Sequence, residues 1–274
     1  MLRVLKMATR IRLLLVPLLA IIPLAAAADD GPGEDFQMIQ TGAGLTLHKE
    51  LFALPYTYSD DYHGRRTETV FQISAKYRLF ETGLHLAYTQ ISFWQSYDYR
   101  NSSPFRDTNY NPEVFYRFKP RAYRSGRLAA DAGVEHESNG QLVPLSRSWN
   151  NLYFAPWYQR GDLLLYAKLR WRLPEPAKTS PDDAEGDDNP DITDYLGHSD
   201  IHVYYRFAKG HLVHFTMRGV IGSGRGNASL GYSVPLPRAA GSHFLLRLSH
   251  GYGESLRDYR RSINRVGVGF MFTR

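Results

Sequence analysis

The sequence predicts an all-β fold: a transmembrane antiparallel up-and-down β-barrel of about twelve strands. Three observations carry that prediction. The first is a secretory leader. Arg3, Lys6, Arg10 and Arg12 form a positive region, an apolar run follows from Leu13 to Leu24, and small residues from Ala25 to Ala28 close it. Residues 1–28 are therefore expected to be a cleaved signal peptide, since the apolar run is shorter than the ~20 residues of a helical span. The second is a period-two alternation of apolar and polar residues in short segments separated by turn residues, which gives each segment one apolar face. The third lies in the other face and the ends: the polar faces carry Arg and Lys, and Tyr, Trp and Phe gather near segment ends. A wet lumen and aromatic girdles account for both.

Residues 29–44 read as an irregular periplasmic lead-in and residues 45–274 as the barrel. The strands are expected near 47–58, 69–79, 83–95, 109–119, 127–138, 147–159, 162–173, 195–207, 210–222, 226–235, 242–252 and 262–273. In the third, Leu84, Leu86, Tyr88 and Gln90 share a face. In the fifth, Leu128, Ala130, Ala132 and Val134 oppose Asp131, Glu135 and Glu137. In the sixth, Asn150, Leu152, Phe154 and Tyr158 lie together. The seventh sets Leu163, Leu165, Ala167, Leu169 and Trp171 against Tyr166, Lys168, Arg170 and Arg172. The ninth sets Val213, Phe215, Met217 and Ile221 against His214, Thr216 and Arg218. The last places Val266, Val268, Phe270 and Phe272 on one face, with mostly Gly opposite. Pro174 to Asp194 is acidic and Pro-rich and reads as an external loop.

Composition removes several function classes. Hydrophobic residues make up 43% and aromatics 14%, including 19 Tyr, too much for a disordered chain. Cysteine is absent, which excludes a disulfide framework, a thiolate metal site and a cysteine nucleophile. The formal charge of +6 comes largely from the leader, whose loss leaves 29 basic residues against 27 acidic. No nucleic-acid partner is expected from so balanced a chain.

One stretch breaks the lipid-facing pattern: "GVEHESNGQLVPLSRSWNNLYF", Gly133 to Phe154. His136 and Ser138 continue the apolar register of the fifth strand and so face lipid, side by side. The short loop to the sixth strand makes the two a hairpin, which brings Asn150 near them. A serine hydroxyl needs a base to take its proton, histidine is such a base, and a third group must hold the imidazole. Asn lacks a carboxylate's charge, which leaves a place for a metal beside an oxyanion. A polar rim above the hydrocarbon band would also put such residues at a strand end. Their outward register favours function, because polar groups facing hydrocarbon are costly.

At these residues the chain resembles the bacterial outer-membrane phospholipase A family. "HESNGQLVPLSRSWN" follows the family motif His-x-Ser-Asn-Gly then Ser-Arg-Ser-Trp-Asn. "AYTQISFWQ", "SSPFRDTNYNPE", "DDNPDITDYLG" and "GYGESLRDY…NRVGVGFM" are similar too, so the likeness spans most of the mature chain. It implies a twelve-stranded barrel and calcium-dependent hydrolysis of phospholipid acyl esters (phospholipase A1 and A2, with lysophospholipase activity). It implies Ser138 as nucleophile, His136 as base, Asn150 as its orienter and the Gly140 N–H as oxyanion donor. Calcium ligands are implied at Ser146, at Gln141 through its carbonyl, and at Ser103 from a partner subunit. Gln141 stands where the family has an Arg, a change a backbone carbonyl tolerates. Gln90 matches a glutamine of the family's homodimer interface, and the active form is expected to be a dimer. A second calcium site would use Asp187 and Asp188, but Val143 replaces the family's hairpin Asp. The expected location is the outer membrane, with the site towards the external leaflet. Two rivals remain: a non-enzymatic pore or structural barrel, and an esterase of the lipid A deacylase type.

Overall fold

The computed structural model describes residues 35–59, 66–180, 182–219 and 224–272. The expected leader and positions 29–34 of the expected lead-in lie outside the described residues. The strands are β1 (Leu45–Leu47), β2 (Phe52–Ser59), β3 (Thr67–Arg78), β4 (Leu84–Trp94), β5 (Phe105–Arg117), β6 (Arg121–Tyr123), β7 (Gly126–Ser138), β8 (Ser148–Arg160), β9 (Leu163–Arg172), β10 (Ser199–Phe207), β11 (His211–Gly219), β12 (Gly226–Pro235), β13 (His243–Gly251) and β14 (Ile263–Met271). A single helical turn, α1 (Thr193–Leu196), interrupts the loop between β9 and β10. Twelve long strands pair antiparallel around a ring, and β14 pairs with β2 to close it. The short β1 and β6 add to the ends of β3 and β7. Closure pairs each of the twelve long strands on both sides, the condition for crossing a membrane with strands.

The expected faces hold among the described residues; Ile221 and positions 220–222 of the expected ninth strand, with position 273 of the last, lie outside them. Along β9, Leu164, Tyr166, Lys168 and Arg170 are buried, while Leu165, Leu169 and Trp171 face out. Along β14, Val266, Val268 and Phe270 face out. Outward aromatics gather at both ends of the wall, with Trp94, Phe105 and Trp171 at one and Tyr77, Tyr116, Tyr158 and Phe244 at the other.

Three strand starts differ from expectation by four residues or more; the expected 109–119 strand begins earlier, at Phe105, where it pairs with Trp94. The first long strand begins at Phe52 rather than near 47, because the preceding residues turn into the lumen: His48 and Glu50 are buried, and Lys49 Nζ donates to Asn111 Oδ1 at 2.8 Å. Paired burial of these polar groups outweighs continuing the strand. The expected 195–207 strand begins at Ser199, after α1.

The lumen is filled from end to end. At the short-turn end, Phe36, Met38 and Ile39 of the lead-in pack inside the wall against residues such as Tyr204 and Trp157. Lys76 Nζ ties that segment down through the carbonyls of Gln37, Met38 and Leu47, at 2.9, 3.2 and 2.8 Å. Ion pairs line the interior along its length: Arg117 to Asp131 at 2.7 Å beside the lead-in, Lys168 to Glu113 and Glu135 at 2.7 Å each in the middle, and Arg265 to Glu68 at 3.0 Å towards the long-loop end. At the long-loop end, Trp149, Ile192, Leu196, Leu256 and Tyr259 form a second apolar cap.

Candidate active site

The site lies on the outer wall at the long-loop end, where β7 and β8 meet. The antiparallel register sets His136 opposite Asn150 and Ser138 opposite Ser148. On the other side, Tyr110 of β5 lies opposite Ser138. Inward-facing Glu135 and Glu137 flank His136 in sequence but serve the lumen. Glu135 pairs with Lys168 and Arg170, and Glu137 with Arg218 at 2.8 Å. Alternation along a single strand thus separates structural carboxylates from the His–Ser pair.

The His136 ring is fixed by a 2.8 Å hydrogen bond between its Nδ1 and Asn150 Oδ1. Asn150 Nδ2 donates to Glu175 Oε1 at 3.0 Å. Because a carboxylate only accepts, this contact turns the amide oxygen towards the ring. His136 Nδ1 therefore carries the proton, and Nε2 is left as a base. The His136 backbone is held as well, since Asn111 Nδ2 donates to its carbonyl at 3.0 Å.

The loop after Ser138 is organised by Asn139. Its Nδ2 donates to Leu145 O at 2.9 Å, and its Oδ1 accepts from the Arg147 N–H at 2.9 Å. Gly140 follows with φ +61, a left-handed conformation that suits glycine. Ser148 is held from the distant loop, its N–H donating to Asn189 Oδ1 at 2.9 Å.

The residues expected to bind calcium fall in two places. Ser146 Oγ donates to Asp188 Oδ2 at 2.5 Å, and Asp188 also pairs with Lys178. Gln141 lies on the same loop with an exposed side chain. Asp187 is engaged elsewhere, accepting from Arg172 Nη2 at 2.7 Å and from the Asn189 N–H at 2.9 Å. Ser103 sits on the β4–β5 loop, its carbonyl accepting from Trp94 Nε1 at 2.8 Å. Among the described residues no three His, Asp or Glu side chains form a metal cluster, so a cation here would be held by hydroxyl and carbonyl oxygens with one carboxylate. Hard oxygen donors of that kind fit calcium. Gln90 faces out on β4, accepting from Tyr88 Oη at 2.9 Å and donating to Ser92 Oγ at 3.0 Å. It lies opposite Tyr110, so Gln90, Tyr110 and Ser138 form one row across three strands.

Sequence reasoning missed Glu175, Asn139 and Asn189. Glu175 was within reach: Trp171, Leu173 and Glu175 share a parity, and the Leu173 N–H donates to Asn150 O at 2.8 Å.

A closed barrel with aliphatic outer faces, aromatic ends and an ion-paired interior is a β-barrel of the bacterial outer membrane. The family model described as phospholipase A1 matches residues 39–272, and the chain belongs to that family. A putative phospholipase A1 of Neisseria meningitidis serogroup B is 37% identical over 218 residues, 76% of this chain and 55% of that protein. The chain thus spans little more than half of that relative. The phospholipase A1 of Salmonella typhimurium is 34% identical over 235 residues, 82% of this chain and 75% of that one. Among solved structures, outer membrane phospholipase A from Escherichia coli superposes with a TM-score of 0.74 at 31% identity, covering 83% of this chain and 93% of that one. The Salmonella typhi outer membrane phospholipase, a dimer with bound calcium, gives 0.74 at 31%, covering 86% and 95%.

Proposed function

We propose that this chain hydrolyses acyl ester bonds of glycerophospholipids in the outer membrane, with Ser138 as nucleophile. The observation that carries this reading is the outward register of His136 and Ser138 together with the 2.8 Å bond from His136 to Asn150. Membership of the phospholipase A1 family favours it over the pore and lipid A deacylase readings. The site lies at the end with the longer loops, which in outer-membrane barrels is the external one.

Ser138 Oγ attacks the ester carbonyl carbon as His136 Nε2 takes its proton. Asn150 holds the tautomer throughout by accepting from Nδ1–H. The imidazolium then protonates the departing glyceryl oxygen, and the lysophospholipid leaves. Water, deprotonated by the same Nε2, attacks the acyl-Ser138 carbonyl, and the imidazolium returns that proton to Ser138 Oγ as the bond to it breaks and the fatty acid leaves. The Gly140 N–H donates to the oxyanion in both halves.

The oxygens of Ser146, Asp188 and the Gln141 carbonyl, with Ser103 from a second copy, would hold calcium. A bound cation adds positive charge beside the oxyanion. The second copy docks on the outer face around Gln90. Strands lie ~4.8 Å apart, so this patch is about 10 Å from Ser138, and a dimer would build its substrate cleft there.

The test is fatty-acid release from micellar phospholipid by refolded protein, with calcium, with chelator and with Ser138→Ala. Release should disappear in both controls. Full release by Ser138→Ala would sink the serine mechanism. Release indifferent to chelator would keep the esterase and reject calcium.

A further inference from the structure

We infer that Glu175 is a positioning residue of this site: its carboxylate locks the Asn150 amide and supplies the negative charge that an amide orienter lacks. The inference rests on the proposed hydrolase reading and adds a fourth member to it. Three observations carry it. The chain of bonds is continuous, from His136 Nδ1 to Asn150 Oδ1 at 2.8 Å and from Asn150 Nδ2 to Glu175 Oε1 at 3.0 Å. Glu175 is brought there by backbone pairing that continues past the end of β9, through the Leu173 N–H to Asn150 O bond at 2.8 Å. It is half-buried, and among the described residues no cation pairs with it.

The neighbouring charges are already committed. Glu135 pairs with Lys168 and Arg170, and Glu137 with Arg218. Beyond β9, Asp187 pairs with Arg172 and Asp188 with Lys178. On β5 the group facing Ser138 is the Tyr110 phenol, and in the hairpin loop Arg147 donates to the Pro144 and Ser146 carbonyls. Glu175 is thus the carboxylate whose bond leads to the imidazole. When His136 takes the serine proton, the positive ring forms one amide away from this negative charge. An amide between them is polarised by both, its oxygen towards the imidazolium and its N–H towards the carboxylate.

The experiment uses the full refolded chain and compares Glu175→Gln, Glu175→Ala, Asn150→Asp and the Asn150→Asp/Glu175→Gln pair. Ser138→Ala is run in the same assay, and the pH profile of kcat/KM and the thermal midpoint are read for each. Glu175→Gln keeps an acceptor and loses the charge, so the imidazolium is less favoured and the acidic limb moves down by about half a pH unit. The same change lowers kcat by about fivefold. Glu175→Ala frees the amide to rotate, and kcat falls by about tenfold or more. In the Asn150→Asp background the sign reverses: two carboxylates adjoin, and Glu175→Gln raises kcat. An unmoved profile in Glu175→Gln with Ser138→Ala inactive overturns the inference alone. So does a uniform loss at every pH that tracks a lowered thermal midpoint. Activity retained by Ser138→Ala would remove the hydrolase reading itself, and that outcome is distinct.

Discussion

Two hairpins on opposite sides of the barrel, β7–β8 and β13–β14, carry the same outward motif. In each, a histidine near the long-loop end faces an asparagine on the next strand, 14 residues on. His136 Nδ1 lies 2.8 Å from Asn150 Oδ1, and His250 Nδ1 lies 2.5 Å from Asn264 Oδ1. Both pairs are direct cross-strand partners. What differs is the next residue of the same parity. After His136 it is Ser138, at the strand end. After His250 it is Tyr252, whose ring packs 5.5 Å from Tyr195 beside the apolar cap. The second hairpin's loop is also consumed by that cap, through Leu256 and Tyr259. A His–Asn pair is therefore not by itself a catalytic sign in this barrel. The chemistry proposed for the first hairpin needs a serine hydroxyl, not a packed phenol, in the next outward slot, and a loop whose backbone is left for substrate.

The strongest way to break the comparison is Ser138→Ala beside His250→Ala. The first should lower fatty-acid release by about a thousandfold or more, and the second should leave it unchanged. Both barrels should keep their heat-modifiable mobility on gels. Comparable losses would mean that the two hairpins share the chemistry. Next in size is Asn150→Ala, expected to cost about a hundredfold in kcat by releasing the imidazole, while Asn264→Ala costs nothing measurable. Gly140→Ala should follow, at about tenfold through a displaced oxyanion donor. At φ +61 an L side chain is strained, and its Cβ would sit 3.1 Å from the Tyr110 ring.

These contrasts also show what the sequence could carry. Alternation alone assigned the faces of β9 and β14, because one face meets hydrocarbon and the other meets charge. The outward placement of His136, Ser138 and Asn150 followed from parity. What parity cannot show is a partner remote along the chain. His48, Lys49 and Glu50 leave the wall because Glu113 and Asn111, more than 60 residues on, receive two of them, with Lys49 Nζ 2.7 Å from Glu113 and His48 Nε2 3.3 Å from it. The oxygens proposed to hold calcium meet only when the β9–β10 loop folds back to set Asp188 against Ser146. Glu175 shares the outward parity of Trp171 and Leu173, but only the register between β8 and β9 sets it beside Asn150.

A smaller effect is expected at the proposed dimer patch. Gln90 satisfies one acceptor and one donor within the chain, through Tyr88 and Ser92, and keeps an amide hydrogen for a second copy. Gln90→Leu should weaken dimerisation in detergent by about fivefold, as for an interstrand polar contact of ~1 kcal/mol. Sedimentation with and without calcium measures it. Dimerisation that is unaltered would place the interface elsewhere on the wall.

The mildest prediction concerns the cap that separates the two hairpins. Asp191 accepts from Tyr259 Oη at 2.5 Å and from Arg260 Nη2 at 2.8 Å. Burial alone would raise its carboxyl, but the bonds from Arg260 and Tyr259 prevail and hold it below the usual aspartate value. A group depressed in the folded state contributes above its unfolded pKa of ~3.9 and loses that contribution as pH falls through the lower folded value. The cap should therefore be indifferent to pH from about 5 to 8 and loosen only below about 4. Trp149 reports on it, being fully buried in the same cluster. Its emission, taken as the difference from a Trp149→Phe variant, should shift to the red over that acid range. Asp191→Asn should flatten the transition. If Asp191→Asn leaves the acid limb unchanged, aromatic packing alone holds the cap, and the contrast between the hairpins narrows to the nucleophile.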